Sequence, residues 1–174
     1  MANIKRIGFG QVEPNHLSAQ RNGQIYGQLP AAADIAVLEN GQFVKYDYAN
    51  GVCNFTGAGE WMLVLNEVKL YDSFWRESYK DYAMQKANFD GGVITPRVMK
   101  TMPGDIFTTN CLAVGNTSGK NTVDCGDYDV LDVLAPNDKG YLAKNVEGAE
   151  IQFQVVKVYT MPDGQPAVKV MRIK

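Results

Sequence analysis

The chain has 174 residues, 17 Lys and Arg against 19 Asp and Glu, a formal net charge of −2 and a hydrophobic share of 45 %. That suits one domain, or one domain with an arm, large enough to bury roughly 70 % of its unfolded surface. The balanced charge gives no electrostatic reason to expect nucleic acid or an anionic membrane as partner, and no apolar run approaches the ~18 residues of a spanning helix.

Met1-Ala-Asn-Ile-Lys-Arg-Ile7 lacks the apolar stretch of a signal peptide, so the protein is expected to be made and kept in the cytoplasm of the producing cell. Residues 1–33 read as an extended N-terminal arm. Gly8, Gly10, Pro14, Gly23, Gly27 and Pro30 punctuate it, and no period of 2 or 3.6 persists. Lys5, Arg6 and Arg21 against Glu13 give it a net charge of 3 − 1 = +2. Its spaced apolar residues, with Ile7, Phe9, Ile25 and Tyr26 as the expected partner-binding anchors, do not build a core of their own but can dock along another surface, the chain's own or a neighbour's. An arm that docks in trans leaves a body that folds without it.

Residues 34–174 read as a β-rich body. Asn40-Gly41 between Ile35–Leu38 and Phe43–Tyr46 is a hairpin signal, and a two-residue type I′ turn there pairs Val37 with Val44 and Ile35 with Tyr46. Asn50-Gly51 returns the chain through Val52–Phe55. After the break at Gly57-Ala-Gly59, Trp61–Leu65 is nearly continuous in apolar residues, as for a central strand buried on both faces. Residues 71–88 are the one helix candidate, or a helical or loop insertion, with Asp72 or Ser73 as cap and Trp75, Tyr79 and Tyr82 as an aromatic cluster.

Strand signals then resume. Met102-Pro-Gly-Asp105 fits a type II turn joining Arg97–Lys100 to Ile106–Thr109. Pro136–Gly140 separates Val130–Leu134 from Tyr141–Ala143. Ile151–Tyr159 and Ala167–Ile173 flank a Pro162-Asp-Gly164 turn, and their patterns slip phase at Val155-Val156 and Val170-Met171, as bulges or strong coiling produce. The fold class expected is mainly β: a compact barrel or sandwich of hairpins with one short helix and the N-terminal arm.

Chemistry-bearing patterns are sparse. Cys53, Cys111 and Cys125 are odd in number and widely spaced, which reads as three buried small hydrophobes. His16 is the single histidine and lies in the arm, without an orienting partner. Asp124, Asp127, Asp129 and Asp132 form the densest acidic patch but lack the Gly and Glu of an EF-hand loop, and they read as a solvated strand edge. Gly8-Phe-Gly10 and Gly115–Lys120 miss the spacing and the strand–loop–helix context of phosphate loops. No catalytic, metal or cofactor residue is assigned, and the expectation is a binding or structural protein and not an enzyme.

Three segments carry a resemblance. Gly8–Tyr26 resembles the N-terminal arm of small virion structural proteins of tailed bacteriophages. Val37-Leu-Glu-Asn-Gly-Gln-Phe-Val-Lys45 is similar to a hairpin that recurs in phage head decoration proteins, and Met102–Asn110 shares the flavour of that group. The resemblance implies a structural virion protein at the capsid surface, binding the major capsid protein and reinforcing the shell as a homo-oligomer, a trimer by analogy. Two other readings stand beside it: a tail or baseplate component, and a carbohydrate-binding module that stacks sugars on Trp75, Tyr79 and Tyr82.

Overall fold

The computed structural model describes residues 1–14, 24–27, 29–66, 83–113 and 122–174. Among them the fold is mainly β, as expected, and no helix reaches seven residues. The strands are β1 (Ala2–Ile7), β2 (Val12–Glu13), β3 (Ile25–Tyr26), β4 (Val37–Glu39), β5 (Phe43–Asp47), β6 (Val52–Asn54), β7 (Trp61–Val64) and β8 (Ala83–Gln85). They continue as β9 (Val98–Met99), β10 (Ile106–Thr109), β11 (Thr122–Tyr128), β12 (Val133–Pro136), β13 (Leu142–Lys144), β14 (Phe153–Thr160) and β15 (Pro166–Arg172).

Two larger sheets stack without closing into a barrel. One has the order β3-β9-β7-β5-β6, the other β13-β12-β14-β15-β10-β2, and β1-β11 and β4-β8 form two-stranded ribbons. Phe43, Trp61, Leu63 and Met99 of the first sheet meet Phe107, Leu134, Phe153, Val155, Val168 and Val170 of the second, with Ile4, Cys125 and Tyr128 of the β1-β11 ribbon completing this core. At its centre Phe153 stacks at 5.3 Å from Phe43 and 5.4 Å from Phe107. The alternate residues Val44, Tyr46, Met62, Val64 and Val98 enter a second core with Ile35, Leu38, Cys53 and Met84. The five-stranded sheet is therefore covered on both faces. This is why Trp61–Val64 runs apolar without alternation and is buried throughout as the central strand expected there.

The turns sort into those that keep the chain in one sheet and those that change sheets. Asn50-Gly51 closes the β5–β6 hairpin, with the Asp47 carboxylate accepting from both the amide and the side chain of Asn50. Pro136–Gly140 closes β12–β13 in the expected way. Pro103-Gly104 is a type II turn, with Asp105 N donating to Met102 O at 2.9 Å and Gly104 at φ +94°. It passes the chain from β9 in one sheet to β10 in the other. Asn40-Gly41 does the same and corrects the expected hairpin. Gln42 N donates to Glu39 O, but only Gly41 has positive φ, so the turn is type II and not I′. Type II turns splay their flanks. Accordingly β4 pairs with β8, Leu38 opposite Met84, while β5 pairs with β6 and β7. Tertiary contacts fix this geometry: Gly41 N donates to Val64 O, and a Cβ on Gly41 would lie 2.6 Å from the Cβ of Cys111.

Further corrections concern the helix and two strand phases, and of the two surfaces open to the arm its described part takes the chain's own. The described part of residues 1–33 docks on its own body. β1 pairs along β11, β2 extends the six-stranded sheet beside β10, and β3 extends the five-stranded sheet beside β9. Ile4 and Arg6 alternate inward on β1 and are both buried. Of the 71–88 helix candidate, residues 71–82 lie outside the described residues. Ala83–Gln85 is a strand and Lys86–Asn88 a single 3-10 turn, because Met84 enters the second core opposite Leu38 of β4. The chain leaves β11 after Tyr128, so Val130 and Leu131 sit in a turn and not in a strand. In β14 the expected slip is a bulge at Val156, where the register jumps between Val155 and Lys157. In β15 no bulge forms at Val170-Met171: Arg172 turns inward opposite Phe153 and Ile173 stays out.

Candidate functional site

The first candidate is an interior polar node. Glu39 ends β4 just before its type II turn, and its carboxylate is enclosed. Oε2 accepts from Arg6 Nη1 and from Gly10 N, both at 2.5 Å, and Oε1 accepts from the Tyr141 hydroxyl at 2.9 Å. Arg6 also donates to Gly8 O at 3.0 Å. Cys111 packs beside the carboxylate so closely that a Cβ on Gly10 would lie 2.6 Å from its Sγ. Burial, with the charge of Glu39 behind it, pushes the Cys111 thiol and the Tyr141 phenol well up. Burial alone lowers the pKa of Arg6, but the Glu39 charge and hydrogen bond more than offset it, so the guanidinium stays charged. The node holds one ion pair and keeps its thiol protonated. It is a fastener between the N-terminal segment and the turn after β4. Sequence reading missed it, although the inward alternation of Ile4 and Arg6 was the available signal.

Three of the four acids of the patch face the chain's own cations: Asp124 faces Lys5, Asp129 the Met1 ammonium at 3.3 Å, and Asp132 Lys144. Asp127 and Asp129 are exposed on either side of buried Tyr128, as alternation predicts. A hydrogen bond from Gly126 N, then Asn3 and Lys5, hold the Asp124 carboxyl below its usual range. Burial opposes ionisation of Asp132, but Lys144 at 2.5 Å and the Asp129 amide at 2.6 Å hold it low as well. Among the described residues no three His, Cys, Asp or Glu side chains converge as a metal cage.

The third candidate is the outer face of the six-stranded sheet. Register defines it. Val133 stands opposite Gln154, Gln154 opposite Met171, and Met171 opposite Ile106, in a row across four strands. Lys157 stands opposite Lys169 in the next row. Both cations lie over the ring of Tyr159, at 5.9 and 5.2 Å from its centroid. All of these side chains are half-buried or exposed, whereas Phe153, Val155 and Val170 on the other face are buried. At the end of this face the turn Asp129–Asp132 presents Val130 and Leu131, the latter 68 % exposed and at φ +77°. A bulky side chain at positive φ persists only where its surroundings over-determine it. Here Leu131 N donates to Val155 O, Val155 N donates to Asp132 O, and Asp129 N is held by the Asp132 carboxylate. Beside Val133 lies an open hollow of about 150 Å³, lined by Val133, Ala135, Val146, Gln152 and Asn145. Asn145, with Leu131, is the other described non-glycine residue at positive φ.

No family model, curated protein or solved structure matches this chain. Among the described residues no helix is long and apolar enough to cross a membrane.

The expected anchors scatter. Ile7 and Ile25 are exposed on separate strands, Phe9 is half-buried, and Tyr26 packs against the second core, edge-on to Tyr46 at 6.1 Å. They belong to no common surface row. His16, the aromatic cluster Trp75, Tyr79 and Tyr82, and the whole of Gly115–Lys120 lie outside the described residues. The outer face was invisible in the sequence because it is assembled from β10, β12, β14 and β15. Its one legible sign was the phase slip at Val155-Val156.

Proposed function

We propose that this chain is a structural protein of a virion, at the capsid surface, that binds the major capsid protein and decorates or reinforces the shell. One observation carries its assembly role: the six-stranded sheet leaves an outer face uncovered, and a hydrogen-bonded turn holds Leu131 out at its end. Exposed apolar side chains fixed by the backbone lose little freedom on docking, which is the economy of a protein-binding surface. The resemblance of Gly8–Tyr26 and Val37–Lys45 to phage head proteins supplies the partner class. Mass-spectrometric identification of this chain in purified virions, with heads and tails fractionated, tests the reading. Recovery with heads supports it, recovery with tails redirects it to a baseplate or tail role, and absence from both overturns it. Leu131→Asp is expected to abolish incorporation while leaving the melting temperature within a few degrees, since the side chain buries little in the isolated chain.

A further inference from the structure

Asn22-Gly23, Asn40-Gly41 and Asn50-Gly51 share a chemical weakness: with no Cβ in the way, the glycine nitrogen can reach the Cγ of the asparagine before it. Asn22-Gly23 lies outside the described residues. The other two pairs occupy opposite environments. Gly41 is buried, its N donates to Val64 O at 2.9 Å, and Asn40 Oδ1 accepts from Asn66 N at 2.8 Å. A Cβ on Gly41 would lie 2.6 Å from Cys111 and 2.8 Å from Thr109, so this turn has little room to change shape. At the tip of the β5–β6 hairpin the same dipeptide is open. Asn50 and Gly51 are both exposed, nothing lies within 4 Å of the place a Cβ on Gly51 would take, and among the described residues Gly51 N has no backbone acceptor. Asn50 is tied down through its own N and Nδ2, which donate to the Asp47 carboxylate at 3.1 and 2.8 Å. Those bonds face solvent, where water replaces either partner at little cost, and they engage neither Cγ nor the nitrogen of Gly51.

We propose that Asn50 is a site of spontaneous deamidation through the Gly51 nitrogen, and that the fold protects Asn40 from the same reaction. Gly51 N gives its proton to solvent and bonds to Asn50 Cγ. The Cγ–Nδ2 bond breaks, and Nδ2 takes up a proton and leaves as ammonia. Water then opens the five-membered imide. Opening at Cγ gives aspartate, and opening at the main-chain carbonyl of residue 50 gives isoaspartate, with the chain routed through the side chain. Either product takes the formal net charge from −2 to −3 (−2 − 1). In the aspartate product a carboxylate replaces the Nδ2 donor beside Asp47, whose own carboxyl is held below its usual range first of all by that hydrogen bond. Two like charges then meet at the tip of the outermost hairpin of the five-stranded sheet and weaken its closure. At Asn40 the attack must first open the buried bond from Gly41 to Val64, which lowers the attack-ready population by about tenfold or more. The reaction needs no partner and is independent of the assembly role.

The test holds the purified full chain at mildly alkaline pH, folded in buffer or unfolded in guanidinium chloride, and samples it over time. Ion-exchange chromatography reads the added negative charge, and fragment-ion mass spectrometry of proteolytic peptides places it on residue 22, 40 or 50. In the folded chain Asn50 is expected to convert faster than Asn40 by about tenfold or more. In denaturant, where both glycine nitrogens are free, that gap is expected to close. A folded chain that keeps Asn50 intact overturns the assignment, and so does one in which Asn40 converts as fast as Asn50. A gap that survives in denaturant belongs to the neighbouring residue types and overturns protection by the fold.

Discussion

Replacing Arg6 by Met tests the interior node directly. The substitution keeps the length of the side chain and removes its charge. It leaves the Glu39 carboxylate only 7 % exposed, with the Gly10 amide and the Tyr141 hydroxyl as its remaining donors besides solvent-excluded surroundings. Removing one partner of a buried pair costs about 3–5 kcal/mol, because the surviving charge is left uncompensated in low dielectric. At roughly 2–4 °C per kcal/mol for a chain of this size, the melting temperature should fall by about 6–20 °C. The double variant Arg6→Met/Glu39→Gln removes both charges while the Gln oxygen still accepts from Gly10, so it should recover most of the loss. Urea unfolding of the wild type, both single variants and the double variant gives the coupling energy, provided the slope with denaturant is unchanged. A loss for Arg6→Met below about 1 kcal/mol would mean that the guanidinium is no more than a surface charge, and the fastener account fails.

Deleting residues 1–10 should cost several kcal/mol or abolish folding, since it removes buried Ile4 and the whole of β1; an unchanged melting temperature would restore the picture of an arm that docks only in trans. Gly140→Ala should destabilise by more than about 2 kcal/mol, because its Cβ would lie 2.1 Å from Phe43 O, whereas Gly148→Ala, also at positive φ but with nothing within 4 Å, should cost about 1–2 kcal/mol; equal losses in the two melting curves would refute the steric reading. Burial pushes the Cys53 thiol from 9.0 to about 11, so its protonated form is favoured in the folded state. That stability is complete below pH 9.0 and is lost as pH rises through about 11; urea midpoints across this range should fall less steeply in Cys53→Ala, and identical slopes would dismiss the thiol as the cause.

What the sequence made legible was local. Asn50-Gly51, Pro103-Gly104 and Pro136–Gly140 are turns because their residue types suit the required φ angles, and Trp61–Val64 is central because its neighbours in sequence are all apolar. What it concealed was set at a distance. Asn40-Gly41 has the composition of a type I′ turn, but Val64 takes the Gly41 amide and Cys111 packs on its Cα side, and those residues lie 23 and 70 positions away (64 − 41 and 111 − 41). Nothing local marks Arg6 or Arg172 as buried, because long cations usually face solvent. Each is buried since an acceptor set awaits it: Glu39 for Arg6, and Thr101 with Glu60 for Arg172. The alternation that placed Ile4 inward also placed Arg6 inward, and period outweighed polarity once a partner existed. For the candidate face, no local pattern marks residues that become neighbours only through β-pairing of four separate strands.

The position of β14 and β15 has a consequence for how the protein is made. These two strands fill the middle of the six-stranded sheet, between β12 and β10, so that sheet cannot be completed before them. Until they emerge from the ribosome, β10 and β12 have no partner on their inner edges, and Phe107 and Leu134 have no Phe153 or Val170 to cover them. Pairings between distant segments are slow to close, and unpaired edges attract other chains. A nascent chain of this design is most vulnerable before β14 and β15 emerge. Premature stops in the region of β14 should therefore yield aggregated material and not a smaller soluble domain.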